Sequence, residues 1–405
     1  MLRERWACCL LRKLRRGTVI RDRRGLWRAG RLVTIAPLHA GATQWVKHRI
    51  RHAKIEISTL LTGLVSWPRL RAAGHAAAGN SLLGALLCAW PGASTWAEPA
   101  VTLYGIMDVA IGYASNGDGK SGVDVRSGQA SSSRLGLRGS EPLGDNLELQ
   151  FNLEADIDID TSTGDLAWNR QNWVALGGSF GTITLGRQYR PEASVVLQMD
   201  PYHGSSVASP PNTYSNLVYR ISNALVYETP RIAGWKALAM VVPGGQSNRP
   251  GGVRDDRGFG LTYRSGPLQL GYGWDRRVNA KASDDRVWQS VGGTYDFGAA
   301  KLYAAYRSRK ENAAELDERS YWIGASAPLG AFTLRGVVGA VDDRSAAHQG
   351  TTALGLGIEY RLTKRTDLYS RYAKLRNRNG AGFDLGDDTQ GSAPQSLALG
   401  LRLRF

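Results

Sequence analysis

Residues 98–405 hold two histidines, His203 and His348, in separate segments, and no cysteine. Neither histidine stands in a metal-ligand spacing, and the missing thiols exclude a disulfide framework or a cysteine metal site there. No nucleophile elbow and no phosphate-binding glycine loop stands out. An enzyme would have to build a Ser/His or Asp/His pair on His203 or His348, so neither catalysis nor a cofactor is expected. What these residues do offer is fixed charge. Arginines and carboxylates recur at alternate positions between apolar side chains, a pattern that acts on solutes electrostatically.

The elements that position these charges are strands. The last eleven residues, Gln395–Phe405, show it most plainly. Leu397, Leu399, Leu401, Leu403 and Phe405 share one face, and Ala398, Gly400, Arg402 and Arg404 share the other. The segment 147–157 alternates likewise, with Leu147, Leu149, Phe151, Leu153, Ala155 and Ile157 against Glu148, Gln150, Asn152, Glu154 and Asp156. A strand with lipid on one side and water on the other has this pattern.

Period two recurs through the body. Strands are expected at about 101–113, 133–143, 147–157, 170–178, 181–190, 219–229, 234–243, 257–265, 267–275, 286–297, 299–309, 319–328, 331–341, 351–361 and 366–377, followed by the terminal strand. Ser115–Gly128 is expected to be a loop. Short turns such as Gly144–Asn146 and Phe297–Ala299 alternate with longer polar connections. The expected fold is all-β: a transmembrane antiparallel barrel of about sixteen strands. No apolar run in the body reaches the roughly 20 residues of a membrane helix. Inward glycines such as Gly355 and Gly357 would relieve crowding within a curved wall or mark a bulge.

The formal net charge of +16 at first suggests a nucleic-acid partner. Its distribution does not. Residues 1–97 carry 17 Lys/Arg against three acids, whereas residues 98–405 carry 34 against 32. The body is therefore nearly neutral. Residues 69–97 read as a secretory signal: Arg69 and Arg71, an apolar core at Ser81–Trp90, and small residues before a cleavage expected after Ala97. Residues 1–68 form a basic upstream extension, either translated from an upstream start or part of an extended signal. The barrel then occupies 98–405.

Several motifs, in order, carry a resemblance. They are Val101–Gly105, Ser133–Gly139 followed by Glu141, Asn169–Gln171, Phe180–Gln188, Arg220–Glu228 and the terminal Phe405. Residues 98–405 resemble the general porins of the Gram-negative outer membrane, in particular the trimeric sixteen-stranded porins of beta-proteobacteria. The resemblance implies a water-filled channel for passive diffusion of small hydrophilic solutes and ions. It implies a homotrimer among outer-membrane lipid and lipopolysaccharide, and no nucleic acid. A solute-specific channel is the alternative, with a barrel enzyme or adhesin behind it.

The resemblance also implies the site. The long connection Arg190–Val218, with four prolines, would fold inward as the constriction loop. Arg134, Arg170 and Arg220 would form the basic wall, with Asp200 as the loop's acidic side. Three arginines against one carboxylate imply a mild preference for anions, which the lumen acids Asp108, Glu148, Glu154 and Asp156 would temper. Parity with Ile183, Leu185 and Tyr189 puts Arg187 on the outer face. There it would lie in a subunit contact, opposite Asp158 or Asp160 of a neighbour. Phe405 would be the signal read by the barrel assembly machinery. Arg402 and Arg404 would face the periplasmic mouth, away from the constriction.

Overall fold

The computed structural model describes residues 100–161, 166–215, 217–243, 256–277, 285–312, 315–385 and 390–405. The expected extension 1–68 and signal 69–97 lie outside the described residues.

Alternating sequence becomes alternating exposure. The terminal strand β17 (Gln395–Arg404) leaves Leu397, Leu399, Leu401 and Leu403 exposed and buries Ala398 and Arg402. The first strand β1 (Ala100–Ser115) does the same with Val101, Leu103, Met107 and Ile111 outside and Asp108 and Ala110 buried. In a soluble protein such exposure would be costly. Around a closed sheet it forms the apolar band that meets hydrocarbon.

Between these two run β2 (Ser121–Ser127), β3 (Arg134–Gly144), β4 (Leu147–Asp156), β5 (Asn172–Gly178), β6 (Gly181–Tyr189), β7 (Arg220–Glu228), β8 (Trp235–Val242) and β9 (Asp256–Ser265). They continue with β10 (Leu268–Arg277), β11 (Arg286–Asp296), β12 (Lys301–Glu311), β13 (Leu316–Leu329), β14 (Phe332–Asp343), β15 (Gly350–Arg361) and β16 (Thr366–Arg378). From β3 onward, each pairs antiparallel with the next. β17 closes the sheet onto β1, from Ile106↔Arg404 to Ser115↔Gln395.

The other edge of β1 is shared. Its first half pairs with β3 and its second half with β2. The two therefore fill one place in the wall, and the barrel has sixteen strand positions. Here the expected loop Ser115–Gly128 is corrected. Val123 and Val125 alternate with Gly122 and Asp124, and pairing with β1 makes a strand of them. Only residues 116–120 remain as its connection.

Aromatic side chains gather where the short turns lie. Trp235 packs at a tilt against Tyr263, Tyr295 against Phe297 and Phe332 against Tyr360, with ring centroids 4.6–4.8 Å apart. Amphipathic rings at this level mark a membrane–water boundary.

Candidate functional site

The connection between β6 and β7 is not structureless. It carries the short helices α1 (Pro191–Val196) and α2 (Pro210–Thr213), with a 3₁₀ turn at Leu197–Met199. Proline at the start of each helix suits the first turn, where the missing N–H has no partner to lose. The segment lies against the inner wall. Its Val196, Met199, Tyr202, Val207 and Tyr214 form the largest buried apolar cluster with Trp322, Val337, Val341 and Leu375 of the wall.

Inward glycines make that seat. A Cβ on Gly271 would lie 2.7 Å from Val195 and 2.9 Å from Met199, and one on Gly273 would lie 2.7 Å from the Cα of Glu192. Gly324 and Gly355 approach Pro201 and Ala208 as closely. Crowding relief was expected at Gly355; the crowding partner is the loop itself.

Polar straps fix the loop. Arg307 Nε donates to Glu192 Oε1 at 2.7 Å, and the Ser290 hydroxyl donates to the same oxygen. Trp322 Nε1 donates to Met199 O at 2.8 Å, and Arg335 Nη1 to Pro201 O at 2.7 Å. At the loop's root Arg190 pairs with Asp256 at 3.0 Å. Each strap satisfies a group that burial would otherwise leave unpaired.

Asp200 has a different role from the one expected. Its carboxylate is 0% exposed and accepts from the backbone N–H groups of Tyr202 and Gly204 and from the Ser209 hydroxyl. It organises the loop's turn and presents no charge to water. Among the described residues, Glu192 is likewise buried, so the loop offers the lumen no carboxylate.

The expected arginines do come together. Arg134 and Arg170 share Glu154, at 3.5 and 3.0 Å, and Arg170 reaches Asp156 at 2.6 Å. Arg220 lies over the Tyr189 ring, 4.8 Å from its centroid, and donates to its hydroxyl. Arg134 feels the like charges of Arg170 and Arg220. Their counter-charges are wall acids, two residues apart on β4.

Around Arg187 the regular alternation of β6 breaks. Gly186 has φ +132°, which interrupts the alternation before it, and Tyr189 faces a lumenal cavity with Arg134. Arg187 donates to Asn169 O at 2.6 Å and to Ser222 Oγ at 3.0 Å, and it feels Arg220 and Asp156. Its company is the basic cluster of its own chain. The alternation of β7 is broken in a similar way. The pairing shifts between Gly186 and Gln188, Asn223 takes φ +58°, and Ile221 is buried with Ala224 and Val226.

The cavity has a volume of about 760 Å³. Arg134 and Tyr189 line it beside the loop residues Tyr202, His203 and Ser205. Around the wall follow Arg335 of β14, Glu359 of β15, Arg371 of β16, and Arg402 and Arg404 of β17, with Arg361, Lys364 and Asp367 near the β15–β16 turn. Among the described residues that line it, seven cations face two carboxylates. Arg402 and Arg404 thus line the same cavity as Arg134, at its end beside the β15–β16 turn. Strand parity held the signal for Arg335 and Arg371: Leu334, Leu368 and Tyr372 turn away from this space on the same strands.

A second strap borders this space. Gly128–Ser133 joins β2 to β3, and Asp108 holds it. The buried Asp108 carboxylate accepts from Ser131 N at 2.8 Å and from the Tyr369 hydroxyl.

A closed sixteen-position barrel, an apolar outer band and a charged lumen narrowed by an inward loop are the parts of a diffusion channel. A family model described as Gram-negative porin matches residues 71–380. The chain belongs to the Gram-negative porin family.

The porin is similar to outer membrane porin protein 32 of Delftia acidovorans, at 29% identity over 353 residues, covering 80% of this chain and 99% of that one. It is 28% identical over 392 residues to an outer membrane porin protein of Bordetella pertussis, at the same coverage. Among solved structures, an anion-selective porin from Comamonas acidovorans superposes with a TM-score of 0.68 at 27% identity, covering 76% of this chain and all of that one. This porin is an outer-membrane channel for passive diffusion of small hydrophilic solutes.

Proposed function

We propose that this porin prefers anions, and that a basic wall sets the preference where the inward loop narrows the lumen. One observation carries the reading: seven cations and two carboxylates line the cavity, while the loop's own acids are buried. Fixed cations in a low-dielectric wall concentrate anions and oppose cations. Arg134, Arg170 and Arg220 form one part of that wall, and Arg187 flanks it. The pairing of Arg134 and Arg170 with Glu154 and Asp156 keeps the preference mild. The likeness to the anion-selective porin of Comamonas acidovorans supports this reading.

A salt gradient across a planar bilayer tests it. The expected reversal potential has the sign of chloride preference. Cation preference would overturn the reading.

The working unit in this reading is a homotrimer set in outer-membrane lipid and lipopolysaccharide. Ile111, Val123, Val125, Leu166 and Trp168 expose apolar surface near β1 and β2 that a neighbouring subunit would cover. The chain acts as a channel and not as an enzyme. Gly177–Gly181 spells Gly-x-Ser-x-Gly, but it is a turn between β5 and β6, not the strand-to-helix turn of a hydrolase. His203 Nδ1 faces Leu197 O at 3.2 Å, a backbone partner. Cleavage after Ala97 would leave two residues before β1 pairs with β3 at Ala100, and Phe405 would serve the assembly machinery.

A further inference from the structure

Arg335, Arg371 and Arg402 come from three strands and converge on one side chain of a fourth, Glu359. Glu359 Oε1 accepts from Arg371 Nη2 and lies 3.5 Å from Arg402 Nη2, and Oε2 lies 3.3 Å from Arg335 Nη2. Three guanidiniums around one carboxylate match the way arginines bind a free oxyanion. The cluster is built into the wall. Arg371 is buried under the Tyr202 ring of the loop, 5.4 Å from its centroid, and Arg335 is tied to Pro201 O. Among the described residues, the buried Nε atoms of Arg335 and Arg371 have no hydrogen-bond partner. All four side chains border the 760 Å³ cavity.

We infer that Arg335, Arg371 and Arg402 form an oxyanion-binding site in the pore wall, and that Glu359 occupies it as a resident counter-anion. The inference rests on the anion-preferring reading above. A channel conducts only if its sites hold an ion loosely enough to release it. An empty triad of arginines would hold phosphate, sulfate or a carboxylate too long. Glu359 offers the triad a tethered carboxylate at high effective concentration. A passing oxyanion then has to compete, so contact is brief and flux is kept. Asp367 does the same one step on, taking Arg402 at 3.0 Å and Arg404 at 2.6 Å. Glu359 is the member that three arginines share.

The test is block of chloride current through the purified full-length porin by inorganic phosphate in planar bilayers. E359Q removes the resident charge and keeps the shape. Half-block of E359Q is expected at about tenfold less phosphate than wild type, equal to about 1.4 kcal/mol of added binding. E359D keeps the charge and is expected to block like wild type. R335Q removes one arm of the site and is expected to need more phosphate than wild type. Equal half-blocking concentrations for wild type and E359Q overturn the inference. Should E359Q fail to insert, R335Q decides: an unchanged half-block overturns it. A wild-type channel that prefers chloride but shows no E359Q effect sinks this inference alone. A wild-type channel without chloride preference removes the reading beneath it as well.

Discussion

Arg307 of β12 and Glu192 of α1 meet at 2.7 Å with both side chains at most 2% exposed. The pair joins residues far apart in the chain across the inside of a barrel. A second Arg307 nitrogen donates to Ser215 O, so one guanidinium holds the loop near both of its helices. The lumen's width therefore depends on a charge that no solute touches.

Removing that charge should widen the pore. Arg307→Ala leaves Glu192 buried without its partner, and breaking such a pair costs about 3–5 kcal/mol. The barrel's ladder and outer band are untouched, so the cost falls on loop seating. The expected outcome is a folded barrel with larger and noisier single-channel conductance. Conductance equal to wild type would show that Arg307 does not hold the loop.

The glycine seat predicts a steric route to the same result. A Cβ on Gly273 meets backbone, the Glu192 Cα at 2.7 Å, which cannot swing aside. Gly273→Val should displace α1 and raise liposome-swelling rates for sugars larger than the wild-type cutoff. Gly336→Ala is the control, since its Cβ would sit 3.6 Å from Leu356, an ordinary contact. Equal swelling for both variants would count against the seat.

Much of this was legible in the sequence, and the parts that were not share a cause. Strand faces follow from period two, so Leu397 to Leu403 and the arginines between them read correctly. Period two fails wherever the backbone departs from regular pleating. Gly186, with φ +132°, and Asn223, with φ +58°, reset the parity of β6 and β7, on which the outward reading of Arg187 rested. Val123 and Val125 were hidden in a glycine-rich stretch because their strand exists only through pairing with β1. Asp200 was misplaced because its partners are backbone N–H groups two and four residues on, plus Ser209. Position in a loop fixes neither burial nor direction. Arg335, Arg371 and Glu359 alternate as plainly as Arg134 does. Their convergence is a property of four strands in register.

The first basic group predicts a graded loss of selectivity. Arg170 holds both Glu154 and Asp156. Arg170→Gln removes one cation, frees Asp156 and leaves Glu154 to Arg134 alone. The reversal potential should move toward cation preference by more than in Arg220→Gln, since Arg220 lies over the Tyr189 ring, donates to its hydroxyl and holds no carboxylate among the described contacts. Equal shifts would show that the acids do not reach the permeating ion.

Outside the membrane, Asp118 ties the loop after β1 to the loop before β17. The Ser392 hydroxyl and its backbone N–H, the latter at 2.8 Å, donate to the carboxylate and hold Asp118 below the usual carboxylate range. A depressed folded value means that the tie is complete above the unfolded value of about 4 and is lost as pH falls through the folded one. Brief closures should thus be constant from about pH 8 to 5 and change only below about pH 4. Asp118→Asn should abolish that acid response. A response centred near neutrality would point to another group.

Phe405 completes the closure of the barrel, and that structural part can be separated from any part in assembly. Its N–H donates to Gly105 O and Gly105 N–H donates to its carbonyl, both at 3.1 Å. Its ring lies where a Cβ on Gly105 would be. Two variants divide the roles. Gly105→Val keeps the terminal aromatic and removes its seat, so it should slow refolding in detergent as well as insertion in cells. Phe405→Leu keeps the backbone pair and an apolar body while removing the ring. Refolding in detergent should stay within about twofold of wild type, because an apolar swap of similar size costs little. Insertion in cells should fall much further if the ring is read as a signal. Equal losses in both assays for Phe405→Leu would reduce Phe405 to the last residue of a strand.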